Sequence, residues 1–236
     1  MTVALLTAAG MGTRMGQAVP KQFLNINDKP IIVHTMERFQ KNPQIDAICV
    51  VTLPNWVDFI KSYAEQFGIN KLRWVAHGGS TGQESIRNGL NAIASGCSEE
   101  TVVMIHDGNR PMIDNDIIGD SLSVFRKSGS AVAVVPCTEV VFRGRDSSAS
   151  TVEIPREELW RTQTPHTYTL KKLLWACDMA DKKGLTGMAA MCQLMCKLGE
   201  TTYYSKGSEK NIKLTTMDDI DIFKALLNTE KSSWVR

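Results

Sequence analysis

From residue 3 to residue 136 the chain alternates between two kinds of hydrophobic spacing, a pattern that few folds accept. Short apolar runs stand at VALLTAA (3–9), AICVVTL (47–53), KLRWVAH (71–77), TVVMIHD (101–107) and SAVAVVP (130–136). Between them lie segments whose apolar residues recur every three or four positions. These are IIVHTMERFQK (31–41) after Pro30, NWVDFIKSYAEQFG (55–68) with Asn55 as cap, QESIRNGLNAIAS (83–95) and DNDIIGDSLSVFRKSG (114–129). Runs of the first kind suit buried strands, and those of the second suit amphipathic helices. Strand and helix repeated in this way predict an α/β fold, a mostly parallel, Rossmann-like twisted sheet with helices on both faces. Such sheets bind ligands beyond the carboxyl ends of their strands, so the loops after residues 9, 76 and 106 are expected to meet on one edge.

The alternation breaks after residue 136. The stretch 137–166 carries short strand-like runs on either side of polar GRDSSAS, which suggests a projecting β-arm over about 137–160. A long irregular excursion is usually functional or an oligomer arm. Helices are expected again at about 169–181 and 187–198, strand-like runs at 201–205 and 211–215, and a last helix at about 216–228. With no repeat, low-complexity segment or linker, residues 1–236 read as a single domain with an arm. A net charge of +2 is too small for a general nucleic-acid or membrane-surface binder. No signal peptide is visible, and no apolar run is long enough to cross a membrane. The six cysteines are scattered without zinc spacing and read as buried reduced thiols of a cytoplasmic protein.

The first strand feeds TAAGMGTRMGQAVPKQF (7–23), with glycines at 10, 12 and 16 and cations at Arg14 and Lys21. Glycines let backbone N–H groups approach an anion closely. Arg14 can grip phosphate bidentately, and Lys21, stiffened by Pro20, offers a point charge; together they suit a polyphosphate. There is no Walker Gly-Lys-Ser/Thr, and GMGTRMG is one residue too long for a dinucleotide fingerprint. The glycines by themselves fit a solvated surface loop equally well.

Extended through Pro-Lys-Gln, the loop resembles the signature of nucleotidyltransferases of the methylerythritol phosphate cytidylyltransferase type, which include ribitol-5-phosphate cytidylyltransferases. The likeness continues in order through GGSTGQESIRNGL (78–90), HDGNRP (106–111), REELWRTQTPH (156–166) and NIKLTTMDDI (211–220). The resemblance implies CMP transfer from CTP to a polyol phosphate with magnesium and release of pyrophosphate. It implies catalytic contacts by Arg14, Lys21 and Lys213, and nucleotide contacts by Ala8, Ala9, Gly10, Gly12, Thr13, Gly79, Ser85 and Asp107. Acceptor contacts fall on Asp107, Arg110, Arg156, Thr164 and Lys213, with Asp107 as candidate magnesium ligand. Family members form homodimers in which the arm reaches the partner's site, so Arg156 would serve the other subunit. Asp107 and Arg110 can also be read as a pair that shapes its own turn, and the four histidines as packed residues.

Four departures from the methylerythritol branch stand out: Gly82 for arginine, Gly108-Asn109 for two alanines, Val140 for threonine, and Gly187 for the aspartate that both branches usually place after Thr186. The forms GG-x-TGQ-x-SI-x-NGL and HDG-x-RP resemble the ribitol phosphate enzymes found with capsule synthesis. Ribitol 5-phosphate is therefore the expected acceptor and methylerythritol phosphate the alternative. A non-catalytic nucleotide-binding paralogue is the competing class. Retention of Arg14, Lys21, Asp107, Arg110, Arg156 and Lys213 argues against it.

Overall fold

The computed structural model describes residues 1–10, 19–144, 146 and 148–231. β1 (Thr2–Ala8) leads to the loop, and a small hairpin of β2 (Asn25–Ile26) and β3 (Lys29–Pro30) follows. Its turn places Asn27 and Asp28 in the left-handed region, at φ 50° and 61°, which these two residue types tolerate best after glycine. Then come α1 (Ile31–Lys41), β4 (Ala47–Thr52), α2 (Val57–Gln66), β5 (Leu72–His77), α3 (Gly82–Ala94), β6 (Val102–Asp107), α4 (Asn115–Ser128) and β7 (Ala131–Pro136). The expected elements thus form within a residue or two, except that α2 begins after a short 3-10 turn at Pro54–Trp56, so Asn55 is not its cap. Thr81 and Asp114 cap α3 and α4 by accepting from the amides of Glu84 and Ile117, and Gly129 ends α4 at φ 78°.

The main sheet has the order β11-β7-β10-β6-β1-β4-β5, where β10 is Trp160–Thr169 and β11 is Tyr204–Lys206. All neighbours are parallel except β10, which runs antiparallel between β6 and β7. Alternate residues of β1 face opposite layers. Val3 and Leu5 join the cluster built with α3, α5 (Leu170–Lys182) and α6 (Met191–Lys197). Ala4 and Leu6 join the cluster built with α1, α2 and α4. This two-sided burial explains why the strands read as continuous apolar runs. A third cluster seats α7 (Met217–Lys231) through Ile220 and Phe223 against Ile31, Met112 and Leu214.

Three expectations need correction. The excursion read as irregular to residue 166 ends at Trp160, where β10 enters the sheet; the hairpin proper is β8 (Val141–Arg143) with β9 (Val152–Ile154). NIKLT (211–215) forms no strand, because side chains of Asn109, Arg110 and Asp219 and loop carbonyls take its backbone groups. The helix expected from 187 begins at Met191, since Gly187 stands in the left-handed region at φ 72°. Among the thiols, Cys192 is buried in the first turn of α6, Cys196 in its last turn is exposed, and Cys97 is half-buried. No helix among the described residues is long and apolar enough to cross a membrane.

Candidate active site

A cavity of about 360 Å³ opens at the carboxyl ends of β1 and β6, flanked by the start of α3. The loops after residues 9, 76 and 106 do converge there, as the alternation predicts. Of the expected residues, Ala8, Ala9, Gly10, Lys21, Ser85, Asp107, Arg110, Thr164 and Lys213 line the cavity. Gly79 is outside this lining, its amide donating to the Ser85 hydroxyl at 3.0 Å. Gly12, Thr13 and Arg14 lie outside the described residues. Arg156 is not at the cavity of its own chain. It is half-exposed at the base of the arm, bonded to the Thr138 carbonyl at 3.1 Å and paired with Glu157 at 3.4 Å.

One lining residue that the motifs do not single out shapes the cavity next to Lys21. Gln22 is 2% exposed, and its Nε2 donates to the carbonyls of Ala8 at 2.6 Å and Gly10 at 3.1 Å. It ties the short helix carrying Lys21 to the end of β1 and so fixes where that lysine can stand. A buried amide needs partners, and the sequence shows neither that Gln22 is buried nor which carbonyls it meets.

A second group of lining residues centres on Asp107. Its Oδ2 accepts from Arg110 Nε at 2.9 Å and its Oδ1 from Lys213 Nζ at 3.0 Å. The pairing read as a turn-shaping alternative is therefore present, and both partners also line the cavity. Burial alone would raise the Asp107 carboxyl, but the charges of Lys213 and Arg110 overrule it and hold it well below the usual carboxylate range. Lys21, Arg110 and Lys213 thus face a single carboxylate, and the described wall is electropositive. That balance suits a polyanion.

The turn at 107–110 is held from beneath by a chain of hydrogen bonds. The Asp107 amide donates to Thr164 Oγ1 at 3.0 Å, that hydroxyl bonds His106 Nδ1 at 3.0 Å, and His106 Nε2 bonds the Arg110 carbonyl at 3.1 Å. A carbonyl only accepts, so Nε2 carries the proton and Nδ1 accepts from the threonine. Burial pushes both His106 and His166 down to about 4, which keeps them neutral packing groups at neutral pH. Thr164 reaches this place because β10 shifts register between Thr162 and His166, releasing the intervening residues from the ladder towards the cavity.

For a metal, no cluster of three or more His, Cys, Asp or Glu occurs among the described residues. Asp107 is the one carboxylate among the described residues lining the cavity, and it already holds two cations. This donor set fits magnesium only if substrate phosphate oxygens supply most of the ligands, which is the usual arrangement for that ion.

Residues 2–229 match the model of the IspD family, described as 2-C-methyl-D-erythritol 4-phosphate cytidylyltransferase. The chain belongs to this family. Among relatives, a ribitol-5-phosphate cytidylyltransferase of Lacticaseibacillus paracasei is 39% identical over 233 residues, covering 98% of this chain and 100% of its own. A 2-C-methyl-D-erythritol 4-phosphate cytidylyltransferase of Alkaliphilus oremlandii is 33% identical, covering 98% and 96%. The crystal structure of the Francisella tularensis IspD superposes with a TM-score of 0.79 at 26% identity, covering 94% and 97%. The likeness to known IspD family members therefore runs nearly the whole length of the chain.

The departures from the methylerythritol branch have visible settings. Gly82 opens α3 with nothing among the described residues within 4 Å of where a Cβ would stand, at a position where the methylerythritol branch usually carries arginine. At Gly108 the space is closed: a Cβ would lie 2.7 Å from Ile32 Cδ1 and 2.9 Å from the Thr7 carbonyl. Val140, at the foot of the arm, is 62% exposed and is not among the residues of the cavity.

Proposed function

We propose that the chain works as one nucleotidyltransferase domain that transfers CMP from CTP to ribitol 5-phosphate, giving CDP-ribitol and pyrophosphate. The observation carrying this reading is the full-length 39% identity to a ribitol-5-phosphate cytidylyltransferase. The cavity supplies the matching chemistry. A phosphate oxygen of the acceptor attacks the α-phosphorus of CTP, a new P–O bond forms, and the bond from the α-phosphorus to the bridging oxygen breaks as pyrophosphate leaves. The attacking oxygen is already ionised near neutrality, so no general base is needed. The burden on the protein is positioning and neutralisation of charge.

In this reading Arg14 and Lys21 bind the triphosphate, and Ala8, Ala9, Gly10, Gly12 and Thr13 give it backbone approach. Gly79 and Ser85 meet the nucleoside. Lys213, Arg110 and Thr164 hold the acceptor phosphate, with Asp107 keeping both cations in place. Asp107, together with phosphate oxygens of the substrate, would hold magnesium, which would supply further neutralisation of the triphosphate. The arm joins two copies so that Arg156 completes the partner's acceptor site. The work is cytoplasmic, where CTP is found, and serves capsule or teichoic acid synthesis. A second reading, methylerythritol 4-phosphate as acceptor, is supported by the 33% identity to an enzyme of that name.

The experiment is pyrophosphate release with CTP and magnesium, run in parallel on the two acceptors. Turnover of ribitol 5-phosphate alone is expected. Turnover of methylerythritol 4-phosphate alone would transfer the protein to the second reading, and silence with both from protein that binds CTP would favour a non-catalytic role.

A further inference from the structure

Lys213 is carried by a segment with no strand ladder of its own, yet that segment is pinned on both sides of the lysine. On the β10 side, Gln163 Nε2 donates to the Ser208 carbonyl at 2.9 Å and its Oε1 accepts from the Ser208 amide at 3.2 Å. Asn211, wholly buried, donates from Nδ2 to the Thr164 carbonyl at 2.9 Å, and its own carbonyl accepts from Arg110 Nη1 at 2.7 Å. On the other side of Lys213, both backbone groups of Leu214 go to Asn109. The Leu214 amide donates to the Asn109 carbonyl at 2.9 Å, and the Leu214 carbonyl accepts from Asn109 Nδ2 at 2.5 Å.

We propose that Asn109 is a positioning residue, whose side chain clamps Leu214 and thereby orients Lys213 towards Asp107 and the phosphate it meets. The inference rests on the reading of Lys213 as a phosphate contact. The Leu214 side chain is fully buried among Ile26, Ile31, Met112 and Phe223. Apolar packing sets the depth of the segment but is non-directional, so it leaves rotation about the chain axis free. Two hydrogen bonds from one residue to both backbone groups of Leu214 fix that rotation. Asn109 is 5% exposed, and an alanine there could not donate, leaving a buried carbonyl unpaired.

Asn109→Ala tests the proposal cleanly, because the bond from the Leu214 amide to the backbone of residue 109 survives the change. Two measurements are made on the full chain. Exchange of the Leu214 amide, followed by NMR, is expected to speed up about tenfold, because opening the segment no longer has to break the bond from Asn109 Nδ2 to the Leu214 carbonyl, with amides of β1 and β4 unchanged. Turnover is expected to fall about tenfold in kcat and kcat/KM alike, and Asn109→Ala added to Lys213→Ala is expected to cost nothing further. Unchanged exchange overturns the clamp. Losses that multiply in the double variant overturn the route through Lys213. If Asn109→Ala does not fold, Asn109→Ser, whose hydroxyl ends one atom short, is read in the same way. Wild-type protein silent on both acceptors would sink the cytidylyltransferase reading, whereas exchange would still decide whether Asn109 holds the segment.

Discussion

Replacing Asp107 with asparagine removes one charge from between two cations, and the cost can be worked from their surroundings. The side chains of Asp107 and Arg110 are 17% and 12% exposed, so their pair is largely out of water. Lys213 is 42% exposed, and solvent screens its share. Breaking a buried pair by removing one partner costs about 3–5 kcal/mol, and an exposed pair about 0–1. The expected loss is at the lower end, about 3 kcal/mol, nearly all from Arg110 left without a counter-charge. For a chain of this length, that is a fall of about 6–12 °C in Tm. The pH dependence has a definite sign. The folded-state value of Asp107 is depressed, so its contribution is complete above the unfolded value of about 3.9 and is lost as pH falls through the lower folded one. Urea unfolding of wild type and Asp107→Asn at a series of pH values should show a constant gap from neutrality down to about pH 4, closing only below it. A gap under about 1 kcal/mol at pH 7, or one that closes between pH 7 and 5, would refute the reasoning.

Other expectations follow from the placement of single residues. Lys21→Ala and Arg14→Ala should each lower turnover by about 10²–10³ with little change in Tm, and near-normal rates in both would remove the loop from the chemistry. Mixed dimers of Arg156→Ala and Lys21→Ala subunits should recover part of the activity if sites are shared, whereas no recovery in verified mixed dimers counts against sharing. Gly108→Ala should lower stability by about 1–3 kcal/mol, because the Thr7 carbonyl cannot withdraw from β1; an unchanged urea midpoint would show that the turn has slack.

Much of this fold is legible because strands buried on both faces and helices buried on one carry different periods. β1, β4, β6 and α1 could be placed almost to the residue for that reason. β10 was not legible. Its WRTQTPHTYT mixes polar residues with a proline, and it is a strand only because β6 and β7 stand on either side of it. Local spacing says nothing about which strand inserts between which. The opposite error occurred at NIKLT, whose alternation suits a strand although Asn109, Arg110 and Asp219 take its backbone groups first. In the site, the charged residues were readable from motifs. The neutral amides that hold them, Gln22, Asn109, Gln163 and Asn211, were not, since their value lies in partners far away in sequence.

The arm leaves the sheet at Pro136 and returns at Trp160, and these two residues face each other in the ladder between β7 and β10. Its two ends therefore meet at a closed base. A segment anchored in this way can be lengthened, shortened or exchanged without moving the register of the strands that flank it. The sheet, with the cavity at its edge, becomes a fixed socket, and the arm a cassette that can diverge at its own pace. Its residues can change with the identity of whatever they touch, while Thr164, a few residues beyond the return point, keeps its grip on the Asp107 amide.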